Sequence, residues 1–76
     1  MARYKYRDYL YESDIKWDGK NWTAAVAIGR DHAGTWLTQK RFKSERICET
    51  RLEAIAESAA LAMRIIDGLM SGTEEL

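Results

Sequence analysis

The sequence predicts a single α+β domain: a three-stranded antiparallel meander followed by one C-terminal helix packed on one face, in the order βββα. Three observations carry this. Short runs of alternating apolar and polar residues fill the first two thirds of the chain, turn chemistry separates them, and one long amphipathic stretch preceded by a capping sequence fills the last third. At 76 residues the chain makes one domain, 1–76, in the size range where a single core is marginal and self-association adds stability.

The first strand is expected at about 8–17. Aromatic and aliphatic residues alternate through 4–17, with Tyr9, Tyr11, Ile15 and Trp17 on one parity and Glu12, Asp14 and Lys16 on the other. Asp18-Gly19-Lys20-Asn21 then supplies turn residues, since Gly tolerates positive φ and Asp and Asn bond their own backbone. The second strand, about 22–30, places Trp22, Ala24, Val26 and Ile28 on one face. Pairing Trp17 with Trp22 sets Ile15 opposite Ala24 and Tyr11 opposite Ile28, so the bulky sets of both strands share a face.

Asp31-His32-Ala33-Gly34 marks the second turn, and a third strand is expected at about 35–44. Two registers are open. A three- or five-residue loop pairs Ile28 with Trp36 and turns Phe42 to the bulky face; a two- or four-residue loop turns Leu37 there instead. The first is preferred, and it leaves Leu37, Arg41 and Lys43 on the opposite face with Leu10, Ala25 and Ala27.

Thr50-Arg51-Leu52-Glu53 fits a capping box, which starts the helix near Arg51 and carries it over about 51–70. Leu52, Ile55, Ala59, Ala62, Ile66 and Leu69 recur at three and four residues, flanked by Ala56, Met63 and Met70, and this stripe is expected to cover the sheet. Gly72 is a C-terminal stop, with 71–76 a frayed tail. Ala54, Leu61 and Ile65 then project roughly opposite the stripe, where a monomer places charge, and become candidates for a second interface.

Composition excludes several functions. Twelve basic and twelve acidic residues give zero net charge, and hence no overall pull toward nucleic acid or anionic membrane. The distribution is uneven: ten Lys/Arg and seven Asp/Glu precede Thr50, and two and five follow from it. One cysteine forms no internal disulfide, the start lacks a signal-like apolar core, and Glu57, Ser58, Arg64 and Asp67 interrupt the apolar stretch in the helix. A cytoplasmic protein without a membrane segment is expected. His32, in a turn, reads as a solvated histidine; Cys48 as a small buried apolar residue; and Glu12, Asp14 and Asp18 as solvent-facing carboxylates. No glycine-rich phosphate loop or zinc ligand set occurs, so no cofactor, metal or catalytic residue is expected.

Two surfaces remain as partner sites. One is the helix face with Ala54, Leu61 and Ile65; the other is a sheet face with Leu10, Ala25, Ala27 and Leu37, since one helix covers one side. The expected function is a non-enzymatic protein-interaction domain, homodimeric or bound to another protein. The alternative is a nucleic-acid-binding module using Lys40, Arg41, Lys43 and Arg46.

Two family resemblances bear on this. Strand residues Trp22-Thr23-Ala24-Ala25-Val26-Ala27-Ile28-Gly29 and helix residues Ala59-Ala60-Leu61-Ala62-Met63 resemble the βββα core of double-stranded-RNA-binding domains, which implies RNA as a partner. The segment from Cys48 to Ile66, with Thr50, Glu53 and Ala54, is similar to the strand-to-helix passage of HicB-like antitoxins, which implies an antitoxin or adaptor encoded beside its partner. The first family's opening helix and the second's glycine-rich third-strand motif have no counterpart here, and neither resemblance transfers a functional residue.

Overall fold

The structure is a computed structural model that describes residues 3–73, with the side chains of 37–39 outside that description. An antiparallel sheet of four strands, β1 (Arg3–Tyr6), β2 (Tyr9–Trp17), β3 (Trp22–His32) and β4 (Thr35–Cys48), runs in meander order and carries helix α1 (Arg51–Ser71) on one face. The α+β class and the βββα core stand as expected, with β1 as an added edge strand. It went unseen because its turn, Arg7-Asp8, has no Gly, Asn or Pro, although Arg7 takes a positive φ of 57°.

The first hairpin register is the expected one, with Trp17 opposite Trp22, Ile15 opposite Ala24 and Tyr11 opposite Ile28. The second corrects the preferred loop. Asp31 pairs with Trp36 and His32 with Thr35, which leaves a two-residue turn, Ala33-Gly34, both at positive φ (53° and 82°). Ile28 therefore lies opposite Lys40 rather than Trp36. A register shift between Gly29 and Asp31 inserts one extra residue in β4 and restores the parity, so Phe42 still comes opposite Val26 on the helix-covered face. The strand also continues beyond 44 to Cys48, through a second irregularity opposite Ala24.

Thr50 caps α1 by accepting from the Glu53 amide at 3.1 Å. At the other end Gly72, at φ 83°, donates to the Leu69 carbonyl (3.3 Å) while the Thr73 amide donates to the Gly68 carbonyl (2.8 Å), closing a Schellman-type stop. Residues 71–73 are thus a formed cap; the remainder of the expected frayed tail, 74–76, lies outside the described residues.

The helix lies chiefly over β3, then β2 and β4. Its buried side is Ala54, Ser58, Ala62, Ile65 and Ile66, with Leu61 and Leu69 packed against the core. One cluster joins Tyr9, Tyr11, Val26, Ile28, Ala62, Ile65 and Ile66; a smaller one joins Ala24, Cys48 and Ala54. A polar layer lies between them. Ser58 Oγ is 2.7 Å from Ser13 Oγ and 2.8 Å from the Ile55 carbonyl, while Ser44 donates to Glu57 at 2.9 Å. The small Ala54 and Ser58 let the helix approach the sheet along this line, which fixes its rotation.

That rotation corrects the interface assigned to the helix. Ala54 is fully buried, Ile65 is buried and Leu61 is partly so, all toward the sheet, whereas Leu52 is 77% exposed. At about 100° per residue the buried side is turned roughly 70° from the expected stripe. No helix among the described residues is long and apolar enough to cross a membrane.

Candidate interaction surface

The sheet face away from α1 is built from residues too small to cover themselves: Ala25, Ala27 and Gly29 on β3. Larger side chains from both sides reach across them. Arg41 on β4 bonds Asp14 on β2, and the Arg3 guanidinium, itself paired with Glu12 at 3.4 Å, stacks 4.7 Å from the Trp36 ring. Ala27 and Gly29 are buried by this, and Leu10, opposite Gly29, is half-buried. The proposed partner face is therefore largely roofed by its own cross-strand pairs. The Leu37 side chain, its other member, lies outside the described residues.

The four basic candidates do not form one patch. Lys40 turns to the helix side and lies 5.5 Å from the Phe42 ring; Arg41 is engaged by Asp14 on the opposite face; and Lys43 and Arg46, both exposed, line one cleft with Glu45, Arg46 also lining another with Glu53 and Glu57. Basic side chains and register irregularities along β4 are the features by which edge strands resist pairing, as are the shortness of β1 and its Arg3 and Lys5.

His32 is exposed at the turn and lines a polar cleft of about 400 Å³ with Lys5, Asp8, Tyr9, Arg30, Asp31 and Met70. There Arg30 donates to the Tyr9 hydroxyl at 3.0 Å and lies over the same ring. The cleft mixes charges of both signs. Among the described residues no three His, Cys, Asp or Glu side chains gather as a metal site. Cys48 is fully buried in a cluster with Ala24 and Ala54.

What the structure does leave open is the margin between α1 and β1. Of the residues expected to cover the sheet, Leu52 and Met63 stand exposed on this side of the helix with Met70, and Ile55 and Ala59 are half-buried beside them, whereas Ala56, also exposed, lines a cleft with Arg46 of β4. Below lies a cleft of about 390 Å³ lined by Tyr4, Ser13, Ile15, Trp22 and Ile55, with Asp14 and Arg51 at its rim. Tyr4 is 52% exposed and stacks on Tyr11 at 5.5 Å; Trp17, 53% exposed, packs on Trp22 at 5.4 Å. At the far end Tyr6 and Arg7 both donate to Asp67, at 3.0 and 2.9 Å, and tie the β1 turn to the helix. The Tyr6 phenol is held above its ordinary pKa, first by this hydrogen bond, then by desolvation and the Asp67 charge. Sequence periodicity named these helix residues as apolar but assigned them to the core, because the stripe and the buried side overlap at Ala62, Ile66 and Leu69.

Compared with known proteins, the chain matches no family model, no curated protein sequence and no solved structure.

Proposed function

We propose that this chain is a non-enzymatic, cytoplasmic protein-interaction domain that acts as a homodimer. One observation carries the reading: Leu52, Met63 and Met70 on α1 and Tyr4 on β1 stay exposed on a domain small enough to benefit from covering them. The reading is also supported by Lys40 lying on the helix side, apart from Arg41 and Lys43, and by the engagement of Arg41 with Asp14, which leave fewer free cations for a nucleic-acid groove.

Sedimentation of the full chain from low to high micromolar concentration, at low and high salt, tests it. A dimer that persists at high salt is expected, since apolar burial is not screened. A chain monomeric throughout would overturn the proposal, and a salt-sensitive shift on adding a mixed RNA and DNA oligonucleotide pool would replace it with nucleic-acid binding.

A further inference from the structure

The corner of the sheet where β3 outruns β2 carries a polar cleft that the homodimer reading does not use. Tyr9 opens β2 and pairs with Arg30, and β3 continues past that pair to His32. The turn residue Asp8 and the helix residue Met70 help to bound the hollow this leaves, of about 400 Å³. That volume lies at the lower end of small-ligand sites, which run from roughly 300 to 1,000 Å³. We propose that this cleft binds a small amino carboxylic acid, with Tyr9 and Arg30 holding its carboxylate and Asp8 its ammonium group.

Tyr9 is the residue that points to a ligand. It is only 4% exposed and belongs to the main core cluster, yet it lines the cleft, and its hydroxyl accepts from Arg30 Nη2 at 3.0 Å. A phenol has one proton to donate as well as lone pairs to accept with, and among the described residues this proton has no acceptor. Accepting from a guanidinium strengthens the same hydroxyl as a donor, so a carboxylate at this wall meets it beside the remaining N–H groups of Arg30. Core contacts fix the ring, and the guanidinium, 5.2 Å from the ring centroid, is steadied by lying over it.

Charge selects the ligand further. Lys5, Arg30 and His32 line the cleft with Asp8 and Asp31, a mixture that complements a ligand carrying both signs better than a bare anion. Asp31 accepts from the Gly34 amide at 2.9 Å, and the ion pairs among the described residues use Arg3, Arg7 and Arg41, so Arg30 and Asp8 are taken up by none of them. Met70 adds an apolar wall whose flexible thioether chain adapts to an aliphatic side chain.

Titration of the isotopically labelled full chain with L-leucine, followed by amide chemical shifts and set against sodium chloride of equal ionic strength, tests this. Saturable shifts at Asp8, Tyr9 and Arg30 to His32 are expected, with a dissociation constant of about 1 mM. Tyr9→Phe keeps the ring in the core and removes only the hydroxyl, and Arg30→Gln changes an exposed position; each is expected to weaken binding about tenfold. Leucinamide, which lacks the carboxylate, is expected to give no saturable shift. Isocaproate, which lacks the ammonium group, is expected to bind several-fold more weakly than leucine to the parent and as well as leucine to Asp8→Asn. Binding indifferent to Tyr9→Phe would overturn the carboxylate seat, isocaproate bound by the parent as tightly as leucine would overturn the part given to Asp8, and a parent without saturable shifts would overturn the proposal. Sedimentation reads the homodimer separately, so neither result decides the other.

Discussion

Single residues on α1 separate the observed rotation from the one that periodicity favours. Ile66 is fully buried within the main cluster, so Ile66→Ala is expected to cost about 2–5 kcal/mol, much of the stability of a domain this size. Leu52→Ala, measured at a dilution that keeps the chain monomeric, is expected to change stability by less than about 0.5 kcal/mol. Urea titrations of both variants check this, and a large loss at Leu52 would return it to the core. Tyr6 makes a second prediction. Its phenol donates to Asp67, and ionising it loses that bond and sets two anions together. Its folded pKa is raised, so the stabilisation is fully present below the ordinary tyrosine value near 10 and is lost as pH rises through the folded value. In an ultraviolet absorbance titration, with the Tyr6 contribution identified by the Tyr6→Phe variant, Asp67→Asn is expected to bring Tyr6 back toward that ordinary value. An unchanged titration would show that the bond does not hold the proton.

Elements explain which parts of the fold were legible. The hairpin of β2 and β3 could be read because its turn carries Asp18, which accepts from the Lys20 and Asn21 amides at 2.8 and 2.7 Å, and because the two bulky faces admit one register. The second hairpin was misleading at Ala33. A two-residue turn of the kind formed here takes positive φ at both positions, and alanine gives no sign of adopting it. Asp31, whose carboxylate accepts from the Gly34 amide at 2.9 Å, holds the turn in spite of it. Ala33→Asn is therefore expected to stabilise the protein by about 0.5–1 kcal/mol, seen as a higher urea midpoint with an unchanged slope. A lower midpoint would mean that the turn does not use the left-handed conformation. The extra residue in β4 explains how a misjudged loop still left Phe42 on the right face: the turn shifted parity once, and the bulge shifted it back.

Across the whole molecule, the charge is balanced and dispersed. Arg3 with Glu12, Arg7 with Asp67 and Arg41 with Asp14 are each substantially exposed on at least one side, so they orient side chains more than they stabilise the domain. The larger imbalance is apolar. If two copies meet through the α1 flank, the same association raises the thermal midpoint as concentration rises, and Leu52→Glu flattens that dependence. By itself the amino-acid sequence determined the α+β class, the β2–β3 hairpin and its register, the helix with both of its ends, and which residues are apolar. Tertiary structure alone decided which apolar residues are inside. From Leu52 to Met70 apolar side chains occupy well over half the helix circumference, so a period of 3.6 leaves the phase undetermined. The choice falls to contact with the sheet, where small Ala54 and Ser58 fit against Ala24 and Ser13, and larger Leu52 and Met63 are turned out to the margin.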